Sequence, residues 1–128
     1  MKKSLSFDQK YVGAAALVAL CFEARTKVHQ AHLMTTSYAQ HKALNEFYDG
    51  IIDLADAYAE SYQGRFGIIQ EYPKCNIATK CGIETIKIVR DWIDGNRQSC
   101  GTQSELQNEI DNIVTLCNGT LYKLENLH

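Results

Sequence analysis

The sequence contains few residues that break a helix or strand, and its cysteines lack a recognisable pattern, which together exclude several classes of protein. One proline and eight glycines in 128 residues are too few for a fibrous or low-complexity chain. The five cysteines are odd in number and form no CxxC pair, so they indicate neither a zinc ribbon nor a disulfide framework. We expect free thiols in a reducing cytoplasm, with Cys21 and Cys117 packed as small apolar residues.

Positive charge is also scarce. Thirteen Lys and Arg residues stand against fifteen Asp and Glu residues, which gives a net charge of −2. Affinity for nucleic acid depends on clustered basic side chains that release counterions from the phosphates. The composition therefore argues against a nucleic-acid partner.

No apolar run is long enough to cross a bilayer, which needs about 20 residues. Residues 11–22 follow Lys2 and Lys3 and so have the outline of a secretory signal. Asp8 and Lys10 interrupt the approach to that run. We therefore expect a cytoplasmic chain with no membrane partner, in which this run forms a buried helix.

The pattern that the sequence does contain is helical. We predict a single domain over residues 1–128, with four helices at about 7–35, 37–64, 77–94 and from 102 onward. Apolar residues recur at three and four along each of the last three helices, as on a face that packs in a core. On the second helix this stripe consists of Leu44, Phe47, Ile51, Leu54 and Tyr58.

Capping residues mark the predicted helix ends. Ser37 and Gln40 have the spacing of a capping box at the start of the second helix, and Thr102 and Glu105 repeat that spacing at the fourth. Gly64 is suited to ending the second helix. These signals define helix boundaries from local sequence.

Connection lengths predict the arrangement of the helices. The connections between the first and second helices and between the third and fourth are short, so each pair should be antiparallel. Residues 64–75 join the second helix to the third, and their extended reach of about 40 Å could run the length of a bundle. We therefore predict an all-α, ferritin-like four-helix bundle with one long crossover between helices two and three.

Histidines and carboxylates on or near the second helix form a candidate site. Asp56 and Glu60 are four residues apart and share a helix face, as do His41 and Asn45. His41 and Asp56 are separated by about 22 Å of helix, so one chain cannot close all these residues on one ion. If helix two packs antiparallel against a second copy, His41 approaches the partner's carboxylates, and His32 arrives beside His41.

The alternative is that these side chains form an ordinary solvated helix surface. Asp49 and Asp53 continue the acidic character of the same helix, as a solvent-facing surface would. The face of His41 also carries Tyr48 and Ile52, and such a partly apolar face is what a dimer contact needs. We predict a homodimer through helix two, either alone or as part of a larger cage.

The pattern of His32, a short gap, and then H-x3-N-x10-D-x3-E resembles the DNA-protection-during-starvation (Dps) proteins, which are ferritin-like mini-cages. More closely, residues 37–64 (SYAQHKALNEFYDGIIDLADAYAESYQG) and the C-terminal LYKL are similar to small uncharacterised Dps-like proteins encoded by bacteriophages. The resemblance is specific over residues 29–64. Elsewhere it depends on the helix pattern and on short stretches such as LQNEID.

The resemblance implies a di-iron ferroxidase site between two subunits. His32 and His41 would come from one chain, and Asp56 and Glu60 from the other. Imidazole and carboxylate suit Fe(II), Mn(II) or Zn(II), and open coordination positions would let oxygen or peroxide oxidise ferrous iron. Iron sequestration in a dimer or a larger cage is the implied function.

The sequence departs from the family pattern at the candidate site. Asn45 stands where the family has an aspartate, and it is a neutral, weaker ligand. Leu33 replaces a tryptophan, and the turn between the histidines is shorter, so His29 could substitute for His32 or merely flank it. A second hypothesis follows: a non-enzymatic, phage-type structural or interaction protein on a ferritin-like fold, with a degenerate metal site.

Overall fold

The computed structural model describes residues 4–128, so Lys2 and Lys3 lie outside the described residues. Its elements are strand β1 (Leu5–Phe7), helices α1 (Gly13–Met34) and α2 (Tyr38–Phe66), strand β2 (Cys75–Ile77), helix α3 (Gly82–Asn96), a 3-10 turn (Arg97–Cys100) and helix α4 (Ser104–Asn126). The described chain is thus mostly helical, with a small two-stranded sheet. None of the described helices is long and apolar enough to cross a membrane.

Contacts at one end of the bundle, which we call the far end, fix the direction of the helices there. Gly13 at the start of α1 lies against Ser99, just after α3. Arg65, near the end of α2, pairs with Glu105 in the first turn of α4 at 2.8 Å. The far end therefore holds the starts of α1 and α4 and the ends of α2 and α3.

The opposite end, which contains the α1–α2 turn, we call the turn end. Gly82 at the start of α3 lies against Leu44 near the start of α2, and Lys123 at the end of α4 bonds Glu46 at 2.5 Å. The two helices of each hairpin, α1 with α2 and α3 with α4, are therefore antiparallel, as predicted. The chain between α2 and α3 passes from the far end to the turn end, so α2 and α3 run in the same direction.

The core lies between the four helices. Phe47, Ile51 and Tyr58 of the predicted α2 stripe are fully buried. The Tyr58 hydroxyl donates to the Cys100 carbonyl at 2.6 Å, and burial raises the pKa of that phenol. On α1, residues 13–21 are all buried, which confirms the expectation of a helix buried on several sides.

The start points predicted for the first and third helices are wrong. Phe7 and Cys75 are paired in an antiparallel ladder, as are Leu5 and Ile77, so neither residue 7 nor residue 77 begins a helix. Asp8 extends the link by accepting the Lys74 N–H through its side chain at 2.7 Å. This ladder joins segments distant in sequence, so helical periodicity in either segment alone gives no sign of it.

The capping predictions hold in part. The Ser37 Oγ accepts the Gln40 N–H at 3.3 Å, which confirms the predicted N-cap of α2. The Gln40 side chain accepts from the Thr35 hydroxyl instead of returning to the Ser37 N–H, so only half of the box forms. Thr102 is not the cap of α4: the N-cap is Gln103, without a side-chain bond.

Helix α2 also continues past its predicted stop. Gly64 lies inside the helix, which ends at Phe66, and Gly67 with φ of 94° turns the chain away. A glycine within a helix is tolerated, whereas a positive φ favours glycine strongly. Gly67, rather than Gly64, therefore ends the helix.

All five cysteines are free, as expected. Cys21, Cys100 and Cys117 are buried, Cys75 is half-buried and Cys81 is exposed. Burial raises the pKa of Cys75 and of Cys117 to about 12. Packing therefore holds these two thiols in the protonated form at neutral pH.

The glycines of α1 and α4 provide a matched test of packing. An added Cβ at Gly13 would lie 2.3 Å from the Ser99 carbonyl oxygen, whereas one at Gly119 would meet nothing within 4 Å. We expect Gly13→Ala to destabilise the fold by about 1–3 kcal/mol through overpacking. Gly119→Ala should stabilise α4 by about 0.5–1 kcal/mol. Urea unfolding followed by circular dichroism measures both, and equal effects would contradict the described contact.

Thiol labelling tests the burial of the cysteines. A thiolate is the reactive form, so the exposed Cys81 should react first with an alkylating reagent at pH 8. Intact mass should show one rapid adduct, which Cys81→Ser removes, and slower reaction at Cys75. Rapid labelling of Cys21 or Cys117 in the native protein would contradict the described core.

Candidate functional site

The α1–α2 turn is closed by side-chain hydrogen bonds. Between Met34 and Tyr38 the chain leaves one helix and enters the next within three residues. The Ser37 N–H donates to the Thr35 hydroxyl at 3.1 Å, and that hydroxyl donates to the Gln40 side chain at 3.0 Å. These bonds bring the last turn of α1 beside the first turn of α2.

His32 and His41 face each other across this turn. The Nδ1 of His32 lies 2.7 Å from the His41 carbonyl oxygen, and the Nδ1 of His41 lies 2.9 Å from the His32 carbonyl oxygen. The rings stack with centroids 3.6 Å apart. A carbonyl oxygen can only accept, so each Nδ1 carries the proton and each Nε2 keeps a lone pair when the ring is neutral.

This pair has the chemical form of a metal ligand. Within the described chain, neither Nε2 atom has a hydrogen-bond partner. His32 is only 7% exposed, yet its Nε2 is not among the polar atoms sealed from solvent. Histidines that bind metals commonly donate the other ring N–H to a carbonyl group, which fixes the tautomer and the ring orientation. Each imidazole is therefore held through Nδ1 and keeps an Nε2 lone pair without a partner in the described chain.

Asn45 belongs to a separate hydrogen-bonded chain beside the histidines. The Tyr48 hydroxyl donates to the Asn45 Oδ1 at 2.6 Å, and the Asn45 Nδ2 donates to Asp49 at 2.9 Å. His29 stacks on the Tyr48 ring at 4.1 Å, whereas its centroid is 5.9 Å from that of His32. His29 thus flanks the pair, and His32 is the histidine that packs against His41.

Asp56 and Glu60 lie toward the far end of α2, and both are exposed. The helix rise separates Asp56 from His41 by about 22 Å within one chain. In the described residues, no group of three or more His, Cys, Asp or Glu side chains is arranged to hold a metal ion. A single chain therefore brings together the two histidines but not the two carboxylates with them.

Exposed apolar side chains form a patch around the α1–α2 turn. Leu33 is 71% exposed and Tyr38 is 74% exposed, and Met34 lies between them in sequence. Tyr48 and Ile52 are half-buried, because they pack against the core. On this surface the most exposed apolar side chains are thus those around the turn, whereas Tyr48 and Ile52 are only partly exposed.

A groove among the described residues lies away from the histidines. It has a volume of about 840 Å³ at the far end, where Tyr11, Val12, Phe66 and Ile68 line it. It contains neither His32 nor His41. The groove and the histidine pair are therefore separate features.

Sequence reasoning missed the groups that orient the site. Nothing in residue types predicts that the carbonyls of His32 and His41 accept the ring N–H groups. The Asn45 network does carry a signal, because Tyr48 and Asp49 are three and four residues further along and so share its helix face.

The chain has matches among known proteins. The model of a family of unknown function (DUF5856) matches residues 32–124, a range that contains all five candidate site residues. The chain is also similar to the "Uncharacterized 14.6 kDa protein in mobD-ri intergenic region" of Enterobacteria phage T4, with 31% identity over 107 residues, covering 83% of this chain and 80% of that protein. No solved structure matches the chain. The phage relative agrees with the bacteriophage link expected from the sequence.

The stacked histidines should also contribute to stability without any metal. In the presence of a chelator, His41→Ala removes a ring stack and a hydrogen bond, and we expect a loss of about 1–2 kcal/mol. Gln30→Ala, on the exposed face of α1, should change stability by less than about 0.5 kcal/mol. Urea midpoints give both values, and an unchanged midpoint for His41→Ala would contradict the reciprocal bonds.

Proposed function

This chain belongs to the DUF5856 family of unknown function, and we propose that it binds a divalent metal ion, in particular iron, at an interface between two copies of itself. His32 and His41 of one chain would be ligands together with Asp56 and Glu60 of its mate. Zinc and manganese share the same ligand preferences in part, so they are the alternative metals. The proposed oligomer is a homodimer through helix two or a larger cage built from it.

One observation carries this proposal: both histidine rings donate Nδ1–H to a backbone carbonyl. This arrangement orients each ring and leaves Nε2 for a ligand, as in many metal sites. A pair that only stabilised the turn would also use the reciprocal bonds, but it would gain nothing from solvent access at Nε2. The pair therefore supports a binding role.

The carboxylates support the participation of a second chain. Asp56 and Glu60 are exposed and four residues apart, so both can approach one ion from the same helix face. A two-fold axis that packs α2 against its copy repeats every contact reciprocally, which would form two equal sites per dimer. Two carboxylates and two neutral imidazoles would balance the charge of a divalent ion.

The order of the helices supports a ferritin-like, Dps-like fold for this site. Two antiparallel hairpins joined by a long crossover are the arrangement of ferritin-like bundles. The resemblance of residues 37–64 to phage-encoded Dps-like proteins points to the same class. Free thiols fit a reducing compartment, so we propose a cytoplasmic protein.

The chain's own residues would bind and orient the ion. The imidazoles approach through Nε2 because their Nδ1 atoms are held by carbonyls, and the carboxylates supply negative charge. Ferrous iron bound there as a substrate would give up an electron to oxygen or peroxide, which is ferroxidase chemistry. Storage of the oxidised iron would then require the larger assembly.

A second function is favoured by the apolar patch at the turn end. Leu33, Met34 and Tyr38 are more than half exposed, and such side chains typically bind protein partners when they cluster. The alternative is a non-enzymatic structural or interaction protein with a degenerate metal site. It requires assembly without metal and no oxidation of ferrous iron above background.

A mixing experiment tests the shared site. We expect the purified wild-type protein to bind one ferrous ion per chain under anaerobic conditions and to be dimeric or larger, as measured by elemental analysis and light scattering. His32→Ala/His41→Ala and Asp56→Ala/Glu60→Ala should each lose binding. Their mixture, refolded together, should regain one ion per mixed dimer, because one of its two sites is complete.

Asp94→Ala serves as the control, since this exposed carboxylate lies on α3. It should leave binding unchanged. Equal binding by wild type and by both double variants would remove the metal proposal. A dimer that forms without any metal uptake would favour the interaction role.

A further inference from the structure

Asn45 is the candidate residue whose surroundings differ most from those of a ligand. Both ends of its amide are occupied: Oδ1 accepts from the Tyr48 hydroxyl at 2.6 Å, and Nδ2 donates to the Asp49 carboxylate at 2.9 Å. A carboxylate only accepts hydrogen bonds when ionised, so the amide nitrogen must face Asp49. The oxygen must therefore face Tyr48.

The Tyr48 ring is itself held in place. His29 stacks on one face with a centroid distance of 4.1 Å, and the His32 ring stands edge-on at 5.2 Å. The phenol is thus fixed between two imidazoles, and its hydroxyl remains directed at the only atom of Asn45 that binds metals. The Tyr48 hydroxyl uses one of the two lone pairs of that oxygen, and a neutral amide attracts a divalent ion less strongly than a carboxylate does.

We propose that the Tyr48–Asn45–Asp49 chain, which we call the asparagine lock, withdraws position 45 from the set of metal ligands. Each interface site then holds one divalent ion through His32, His41 and the partner copy's Asp56 and Glu60, with no place for a second. This inference rests on the proposed function. Asn45 and Tyr48 are positioning residues here, because they act by closing a ligand position.

Anaerobic titration of the metal-free protein with Co(II) tests the lock, with visible absorption and calorimetry as readouts. Wild type should take up one Co(II) per chain. Asn45→Ala should bind the same number with an affinity within about threefold, since that amide contributes no ligand. Asn45→Asp/Tyr48→Phe introduces a carboxylate that the phenol no longer holds, and it should take up a second Co(II) per chain. Asn112→Asp, an exposed position on α4, is the matched control and should bind one.

Three results would overturn the lock. Two Co(II) ions per wild-type chain would show that position 45, or another group, completes a second site. A loss of affinity greater than tenfold in a folded Asn45→Ala would identify the amide as a ligand, and the proposed function would stand in both cases. No Co(II) uptake by wild type would remove the proposed function together with the lock. Circular dichroism establishes that each variant is folded.

Discussion

The short turn between α1 and α2 is the constraint on which the candidate site depends. Two helices that reverse within three residues must bring their facing turns together, and here His32 and His41 occupy those turns. Each ring bonds the backbone of the other residue, so the pair orients itself without help from a third side chain. The Thr35 and Gln40 bonds add to this closure. The orientation of the two rings thus depends on backbone carbonyl groups, which substitution of neighbouring side chains does not remove.

A second constraint is that α2 is one continuous helix from Tyr38 to Phe66. Because a helix rises about 1.5 Å per residue, His41 and Asp56 cannot meet within one chain. A function that uses both must therefore be a function of an assembly, and the free chain would show two incomplete halves. The structure agrees with such a division. His32 is buried, whereas Asp56 and Glu60, at a distance along α2, are exposed to solvent.

The parts of the fold that depend on local sequence could be predicted, and those that depend on pairing at a distance could not. Ser37 caps α2 because its hydroxyl reaches an amide three residues away. By contrast, Phe7 and Ile77 are strand residues because their two segments pair with each other. The sequence of either segment alone predicts the beginning of a helix there. At the site, residue spacing indicated that the two histidines lie together. Residue spacing could not predict the carbonyl partners, since every residue has a carbonyl group. The geometry of the turn determines that the carbonyls of His32 and His41 accept these bonds.

The two candidate functions differ in what happens to charge when two copies associate. Antiparallel packing of α2 against its copy would bring Asp56 and Glu60 toward buried surface, and burying a carboxylate without a partner is costly. A divalent ion held by the facing histidines would offset that cost, so metal binding and assembly would strengthen each other. If the interface is instead built on Leu33, Met34 and Tyr38 alone, the carboxylates must remain solvated at its rim. In the first case the oligomer depends on metal, and in the second it does not. The negative charges of Asp56 and Glu60 therefore link metal binding to the formation of the oligomer.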